Sequence, residues 1–348
     1  MIKNDTNTST LILCASLLMM LFFPIAEAAA QAGGFTGSFS RMGFSPRGMA
    51  MGNALTAVDR EGNYGYYNPA HAAAYSEHIQ LDVSSAALSF DRQLHMLSAN
   101  FQLPPSAGLS LSLINARVTD IDGRSQSGYH TEMLSTSEYQ LIGNFGIRFS
   151  ERVRAGIGIK YNLANYHESV PNSRGIGLDA GLIVNPIQRL KIGITVQDLI
   201  AENSVNTSDL YGTDMQASVG DYPRRLIIGS SYKVTDHLLF SVDFENRWQL
   251  SEINRFVENG SETQTERVEE SSVSRYLRFG SSYLVHERFT LRGGFQIYDI
   301  SYENQILPSA GFSIHLPYDR FSPSIDYAFM REASQISTMH VFALRLNI

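Results

Sequence analysis

The chain closes with Met339-His-Val-Phe-Ala-Leu-Arg-Leu-Asn-Ile348, ten residues that alternate apolar and polar up to the last position. Read as a strand, Phe342, Leu344, Leu346 and Ile348 share one face, and Val341, Ala343, Arg345 and Asn347 share the other. Successive strand side chains point to opposite sides. Such a strand needs apolar surroundings on one side and a wetter space on the other. A transmembrane β-barrel supplies both, and its last strand closes onto its first. The segment therefore predicts a closing strand, with Phe342 and Leu344 toward lipid and Arg345 toward a lumen.

The same period of two recurs upstream. Val153, Ala155, Ile157, Ile159 and Tyr161 alternate with Arg154, Gly156, Gly158 and Lys160; Leu190, Ile192, Ile194 and Val196 alternate with Lys191, Gly193 and Thr195. Phe240, Val242, Phe244 and Trp248 alternate with Ser241, Asp243, Glu245 and Arg247, and Phe289, Leu291, Phe295 and Ile297 with Thr290, Arg292 and Gln296. Runs of this length suit a tilted membrane strand. About fourteen strands follow, near 78–91, 93–103, 107–118, 138–150, 152–166, 174–186, 188–198, 224–233, 237–248, 274–285, 288–299, 304–316, 321–331 and 337–348. Short turns such as Ser150-Glu151 and His286-Glu287 alternate with longer connections at 119–137, 167–173, 199–223 and 249–273. Short periplasmic turns and longer external loops are the habit of outer-membrane barrels. The fold class is an all-β antiparallel transmembrane barrel. A propeller is disfavoured because no fixed-period repeat is visible. A soluble sandwich would not place Asp243, Glu245 and Arg247 in sequence on one face behind Phe and Val on the other.

Residues 1–30 have the form of a secretory signal peptide: Lys3 near the start, an apolar run from Leu11 to Phe23, and Ala28-Ala29-Ala30 as a cleavage site. The run is shorter than the roughly 20 residues a helix needs to cross a bilayer. The one cysteine, Cys14, falls inside it, so the mature chain is expected to have no disulfide, thiol nucleophile or cysteine metal site. Later segments contain no long apolar helix. A formal charge of −7 argues against nucleic acid as a partner.

Three regions result: 1–30 signal peptide, 31–77 a segment that does not alternate, and 78–348 the barrel. The polar face of the strands is rich in glycine (Gly146, Gly156, Gly158, Gly177, Gly181, Gly193, Gly229, Gly280, Gly294). Glycine within a strand relieves crowding or allows a bend, and it also marks the close approach of another backbone. Residues 31–77 are the candidate for that approach. They carry Arg47-Gly-Met-Ala-Met-Gly52, Ala54 to Val58 and Tyr67-Asn-Pro-Ala70, which resemble the N-terminal signature of the PorV/PorQ family, a branch of the FadL-type outer-membrane barrels. Tyr67 stands where that family often has Trp, and His71 where Gly commonly follows. The resemblance implies fourteen strands, with residues 31–77 as an N-terminal hatch inside the barrel. Its motif residues would be Arg47, Gly48, Gly52, Tyr67, Asn68, Pro69 and Ala70. From the residues alone, Asn68-Pro69-Ala70 is either a rigid turn of that hatch or the start of the first hairpin.

No enzyme is expected: no catalytic constellation, metal-ligand spacing or cofactor motif is present. The candidate lumen charges are Arg148, Lys160, Asp179, Lys191, Asp243, Glu245, Arg247, Arg292, Asp326 and Arg345. They either form ion pairs that hold the hatch or line a solute path. The acidic long loops read as a solvated face. The resemblance implies an outer-membrane protein in contact with lipid. Its role would be association with type IX secretion, as a shuttle or tether meeting secretion-machinery proteins or secreted cargo. The alternative is FadL-like uptake of long-chain fatty acids or another hydrophobic small-molecule ligand.

Overall fold

The computed structural model describes residues 37–62, 64–74, 76, 78–166, 171–206, 216–259, 262–300, 305–316, 322–332 and 337–348, with side chains omitted for 202–221 and 250–270. The expected signal peptide, the first residues of the expected hatch and the turn at 317–319 lie outside the described residues, as do the side chains of most loop acids.

Among the described residues sixteen strands follow one another: β1 (Gln80–Leu88), β2 (Arg92–Leu103), β3 (Ala107–Arg124), β4 (His130–Ser150), β5 (Val153–Asn165), β6 (Ser173–Ile187), β7 (Leu190–Gln197), β8 (Glu202–Asn206), β9 (Gln216–Asp221), β10 (Arg224–Lys233), β11 (Leu238–Asn259), β12 (Glu262–His286), β13 (Phe289–Tyr298), β14 (Gln305–His315), β15 (Ser324–Arg331) and β16 (Thr338–Asn347). Fourteen of them form a closed antiparallel ring, in which β5 pairs with β6 and β7 pairs directly with β10. β8 and β9 form a side hairpin attached to β6. The terminal strand closes the ring: β16 pairs with β1 from Gln80↔Asn347 to Ala87↔His340, and Ile79 and Ile348 exchange backbone hydrogen bonds of 2.9 Å.

Alternation decides which way each side chain faces. On β16, Val341, Ala343 and Arg345 are buried, while Phe342 and Leu344 are exposed. Ile157 and Ile159 on β5, Phe240 on β11, Leu291 on β13 and Ile325 on β15 are likewise exposed, beside buried Lys160, Asp243, Arg292 and Asp326. An apolar outside and a polar inside, repeated around a closed sheet, is the transmembrane-barrel pattern. A soluble monomer seldom exposes so continuous an apolar surface.

Two long connections differ from expectation. β3 and β4 continue to Arg124 and from His130, and β11 and β12 to Asn259 and from Glu262, so much of 119–137 and 249–273 is strand. Beyond the lipid neither face must be apolar, so the period of two fades. The backbone ladder continues because it needs only paired N–H and C=O groups. The connection 199–223 holds β8 and β9.

Candidate functional site

Residues 37–76 carry one helical turn, α1 (Pro46–Ala50), and two 3-10 turns at Ser38–Arg41 and Pro69–Ala73. Pro46 opens α1, where its missing N–H and fixed φ do no harm. This places Arg47 in the first turn, buried. Its guanidinium bonds Asp326 of β15 at 3.0 Å, Ser324 Oγ at 2.7 Å and the Glu61 carbonyl at 3.1 Å. Glu61 accepts from Arg292 Nε of β13 at 2.7 Å and from Ser282 of β12. Arg292 also bonds Ser313 Oγ at 2.6 Å, and Ser313 donates to Asp326. Arg47, Asp326, Ser313, Arg292 and Glu61 thus form a closed circuit of charge-assisted bonds, the stronger class of hydrogen bond.

A second knot lies at Asp59, which pairs with Arg154 of β5 at 2.7 Å and with Lys191 of β7. Burial alone would raise the Asp59 carboxyl, but Lys191 and Arg154 hold it well below the usual carboxylate range. Burial likewise opposes, and Arg292 and Arg47 outweigh it, for Glu61, whose pKa is brought down to about 2. Arg345 of β16 bonds Asp82 of β1 at 2.6 Å, the Glu61 carbonyl at 2.9 Å and the Tyr64 hydroxyl. Asp243 accepts the Thr56 N–H at 2.9 Å.

The other motif residues sit where backbones meet. Gly52 has φ +61, and a Cβ there would lie 2.6 Å from the Phe295 carbonyl of β13. Gly48 lies under the Tyr67 ring, and Tyr67 donates to Asn53 at 2.7 Å. Asn68 accepts the Ala70 N–H at 3.0 Å and donates to Thr56 O at 3.1 Å, capping the turn that starts at Pro69. Asn68-Pro69-Ala70 is therefore a turn within the N-terminal segment, and the first hairpin starts later, at Gln80. His71 is fully buried and donates from Nε2 to Leu55 O at 3.0 Å. Burial pushes its pKa down to about 4, so the ring is neutral.

The inner-face glycines explain themselves in the same way. A Cβ at Gly156 would lie 2.5 Å from the Pro69 carbonyl carbon, one at Gly146 2.7 Å from Ala73 N, and one at Gly280 2.6 Å from Met51 O. Gly108 and Gly311, not singled out by sequence, do the same against Ala72 and Ala50. Gly177 meets only ordinary contacts.

Of the ten predicted lumen charges, eight are buried on the inner face, and Lys191, partly buried, pairs with Asp59. Lys160 bridges Asp179 and Asp198 at 2.8 Å each. Glu245 receives Arg247 at 2.8 Å and also Arg278. Arg148 stands apart, half-buried near a short turn and bonded to the Pro105 carbonyl at 3.2 Å. Sequence reasoning did not single out Asp59, Glu61, Asp82, Arg154, Asp198, Arg225 or Arg278. The three arginines already lay in polar-face register, whereas Asp59 and Glu61 fall in a segment with no periodicity to place them.

Toward the long-connection end lies a cavity of about 290 Å³ between the Ser38–Arg41 turn and the wall. Arg41, Met42, Arg247, Arg278, Met330 and Met339 line it, with Arg92 and Arg331 at the partly exposed rim. Arg92 forms a two-pronged pair with Glu332 at 2.9 and 3.0 Å. Met330 and Met339 also belong to an apolar cluster with Phe39, Phe44, Leu94, Met96, Ile114 and Ile142. A second hollow of about 480 Å³, lined by Phe240, Phe279, Ser281, Gly293 and Phe295, lies on the apolar outer face.

No protein-family model matches the sequence, and no curated protein does. Solved structures do. The Ralstonia pickettii toluene transporter TbuX is 14% identical with a TM-score of 0.59, over 89% of this chain and 98% of that one. The Pseudomonas putida toluene transporter TodX is 11% identical (TM-score 0.58, 88% and 97%), and a Pseudomonas aeruginosa FadL homologue is 12% identical (0.57, 87% and 98%). At this identity the likeness is one of fold, and the fold is that of a FadL-type barrel.

Proposed function

We propose that the protein is a non-enzymatic outer-membrane channel for small hydrophobic molecules, with residues 37–76 as a plug held inside the lumen. One observation carries the plug. This single segment bonds the inner faces of strands all round the ring, from Arg154 and Lys191 through Asp243, Ser282, Arg292 and Asp326 to Arg345, and it touches β3 and β4 through Gly108 and Gly146. Contact with the polar face on every side of a closed ring supports a position within it. The likeness to toluene transporters and a FadL homologue supports hydrophobic solutes as cargo. The apolar part of the cavity lining, Met42, Leu307, Met330 and Met339, supports such a cargo. The signal peptide read from residues 1–30 agrees with this location. The type IX secretion role implied by the PorV/PorQ resemblance has no counterpart among the three solved structures named above.

The test is flux through vesicles reconstituted with the full chain. Labelled toluene should equilibrate faster than in protein-free vesicles, and faster still with Glu61→Gln. Equal rates in all three, together with recovery of secretion partners from gently solubilised membranes, would favour the tether instead.

A further inference from the structure

The cavity at the long-connection end is more cationic than a path for neutral hydrocarbons requires. Arg247 and Arg278 lie in its wall and share one carboxylate, Glu245: Arg247 donates to Oε1 from Nε at 3.0 Å and from Nη2 at 2.8 Å, and Arg278 reaches Oε2. That trio carries a net positive charge beside the hollow. Arg41 enters from the N-terminal segment, and Arg92 and Arg331 stand at the rim. The rest of the lining is mixed: Met42, Met330, Met339 and Leu307 are apolar, while Ser38, Gln296, Tyr298 and Glu332 are polar, with Glu332 paired to Arg92. Arg247 lies 4.1 Å over the Tyr276 ring, which holds its guanidinium in a fixed plane.

Each half of this lining selects a different part of a ligand. Guanidinium forks match carboxylate oxygens, and charge-assisted bonds in a partly dry site are strong. Methionine sulfurs favour aromatic rings, and flexible thioethers mould to irregular apolar bodies. At about 290 Å³ the hollow sits at the small end of ligand sites, which run from roughly 300 to 1,000 Å³. Phe39 and Phe44 belong to the buried apolar cluster that shares Met330 and Met339 with this lining.

We infer that this cavity is a binding site for a compact aromatic carboxylate, its acid group held by Arg41, Arg247 and Arg278 and its ring by Met42, Met330 and Met339. The inference rests on the channel reading above and narrows its cargo from hydrophobic solutes at large to aromatic acids. The acid group docks without any covalent step, and solutes of this class reach the site from the rim.

Calorimetric titration of the full-length protein in detergent tests it, with benzoate, toluene and palmitate as probes. Benzoate should bind at least about tenfold more tightly than toluene and should weaken as salt rises, since its recognition is by charge. Arg278→Gln and, separately, Arg41→Gln should each cost benzoate about tenfold or more in affinity, the loss expected for one charge-assisted bond. Heat-modifiable gel migration shows whether each variant is still a barrel, and Arg41→Gln alters no strand residue if Arg278→Gln fails to assemble. Toluene binding as tightly as benzoate, benzoate indifferent to both substitutions, or palmitate preferred over benzoate would each overturn the site. Benzoate bound as expected but with no flux in vesicles would leave the site standing and overturn the channel.

Discussion

Arg345 and Asp82 face each other across the seam that closes the ring, directly opposite in register and joined Nε to Oδ1 at 2.6 Å. Both are buried, and the same guanidinium reaches the Glu61 carbonyl and Tyr64. One side chain therefore ties first strand, last strand and N-terminal segment together.

Removing one partner of a buried pair leaves an uncompensated charge, at about 3–5 kcal/mol. Asp82→Ala should therefore lower barrel stability by that order, seen as a lower midpoint for loss of heat-modifiable migration. Pairing it with Arg345→Leu, which removes both charges, should recover part of the loss.

Glu61 is one of two carboxylates in the closed circuit; its side chain meets Arg292 and Ser282, and its carbonyl meets Arg47. Glu61→Gln keeps the shape and removes the charge, so the wall contacts of the N-terminal segment should weaken while the ring persists. Limited proteolysis should cut between residues 37 and 76 sooner, with heat-modifiable migration unchanged. Equal cleavage rates would count against Glu61 as an anchor.

Two neighbouring glycines on β12 and β13 separate close approach from mere flexibility. A Cβ at Gly280 would crowd Met51, whereas one at Gly293 would meet only Ser281 Oγ, at 3.9 Å. Gly280→Ala should destabilise by about 1–3 kcal/mol, the cost of overpacking. Gly293→Ala should be neutral within about 0.5 kcal/mol. Urea midpoints compare them.

His71 makes acid destabilising. Its pKa falls from 6.5 to about 4 on burial, so below 6.5 the unfolded chain binds the proton the folded one refuses. That part of the stability is complete above pH 6.5 and is lost as pH falls toward 4, by up to about 3 kcal/mol at 1.36 kcal/mol per unit. Glu61, held down to about 2, adds a loss of the same sign below its ordinary value of 4.5. His71→Gln should flatten the slope between pH 6.5 and 4 and leave the lower limb intact, as read by urea midpoints across that range.

The ring was legible because lipid and lumen impose opposite demands on alternate residues. Phe342 outward and Arg345 inward follow from ten residues of pattern. The extra lengths of β3, β4, β11 and β12 were not legible, because outside lipid the backbone ladder persists without imposing a pattern on side chains. Arg47 was recognisable from its motif, but its partner Asp326 lies 279 residues away, and no local spacing pairs them. Asp59 and Glu61 were hidden for the same reason. Arg92, Arg247 and Arg278 were individually in inner-face register, yet only ring closure brings them around one space with Arg41.

The seam between β1 and β16 joins residues 263 apart in the chain. Loop-closure entropy must be met before so distant a pairing gives anything back, so this is a late event in assembly. Until then the inner faces of β13 to β16 lack a wall opposite them, and the proposed plug has no chamber to occupy. With the proposed plug in place, the barrel would be wrapped around residues 37–76 as it shuts. An inverted order, with the ring complete before residues 37–76 arrive, would require forty residues to be threaded into a closed pore past Arg92 and Glu332.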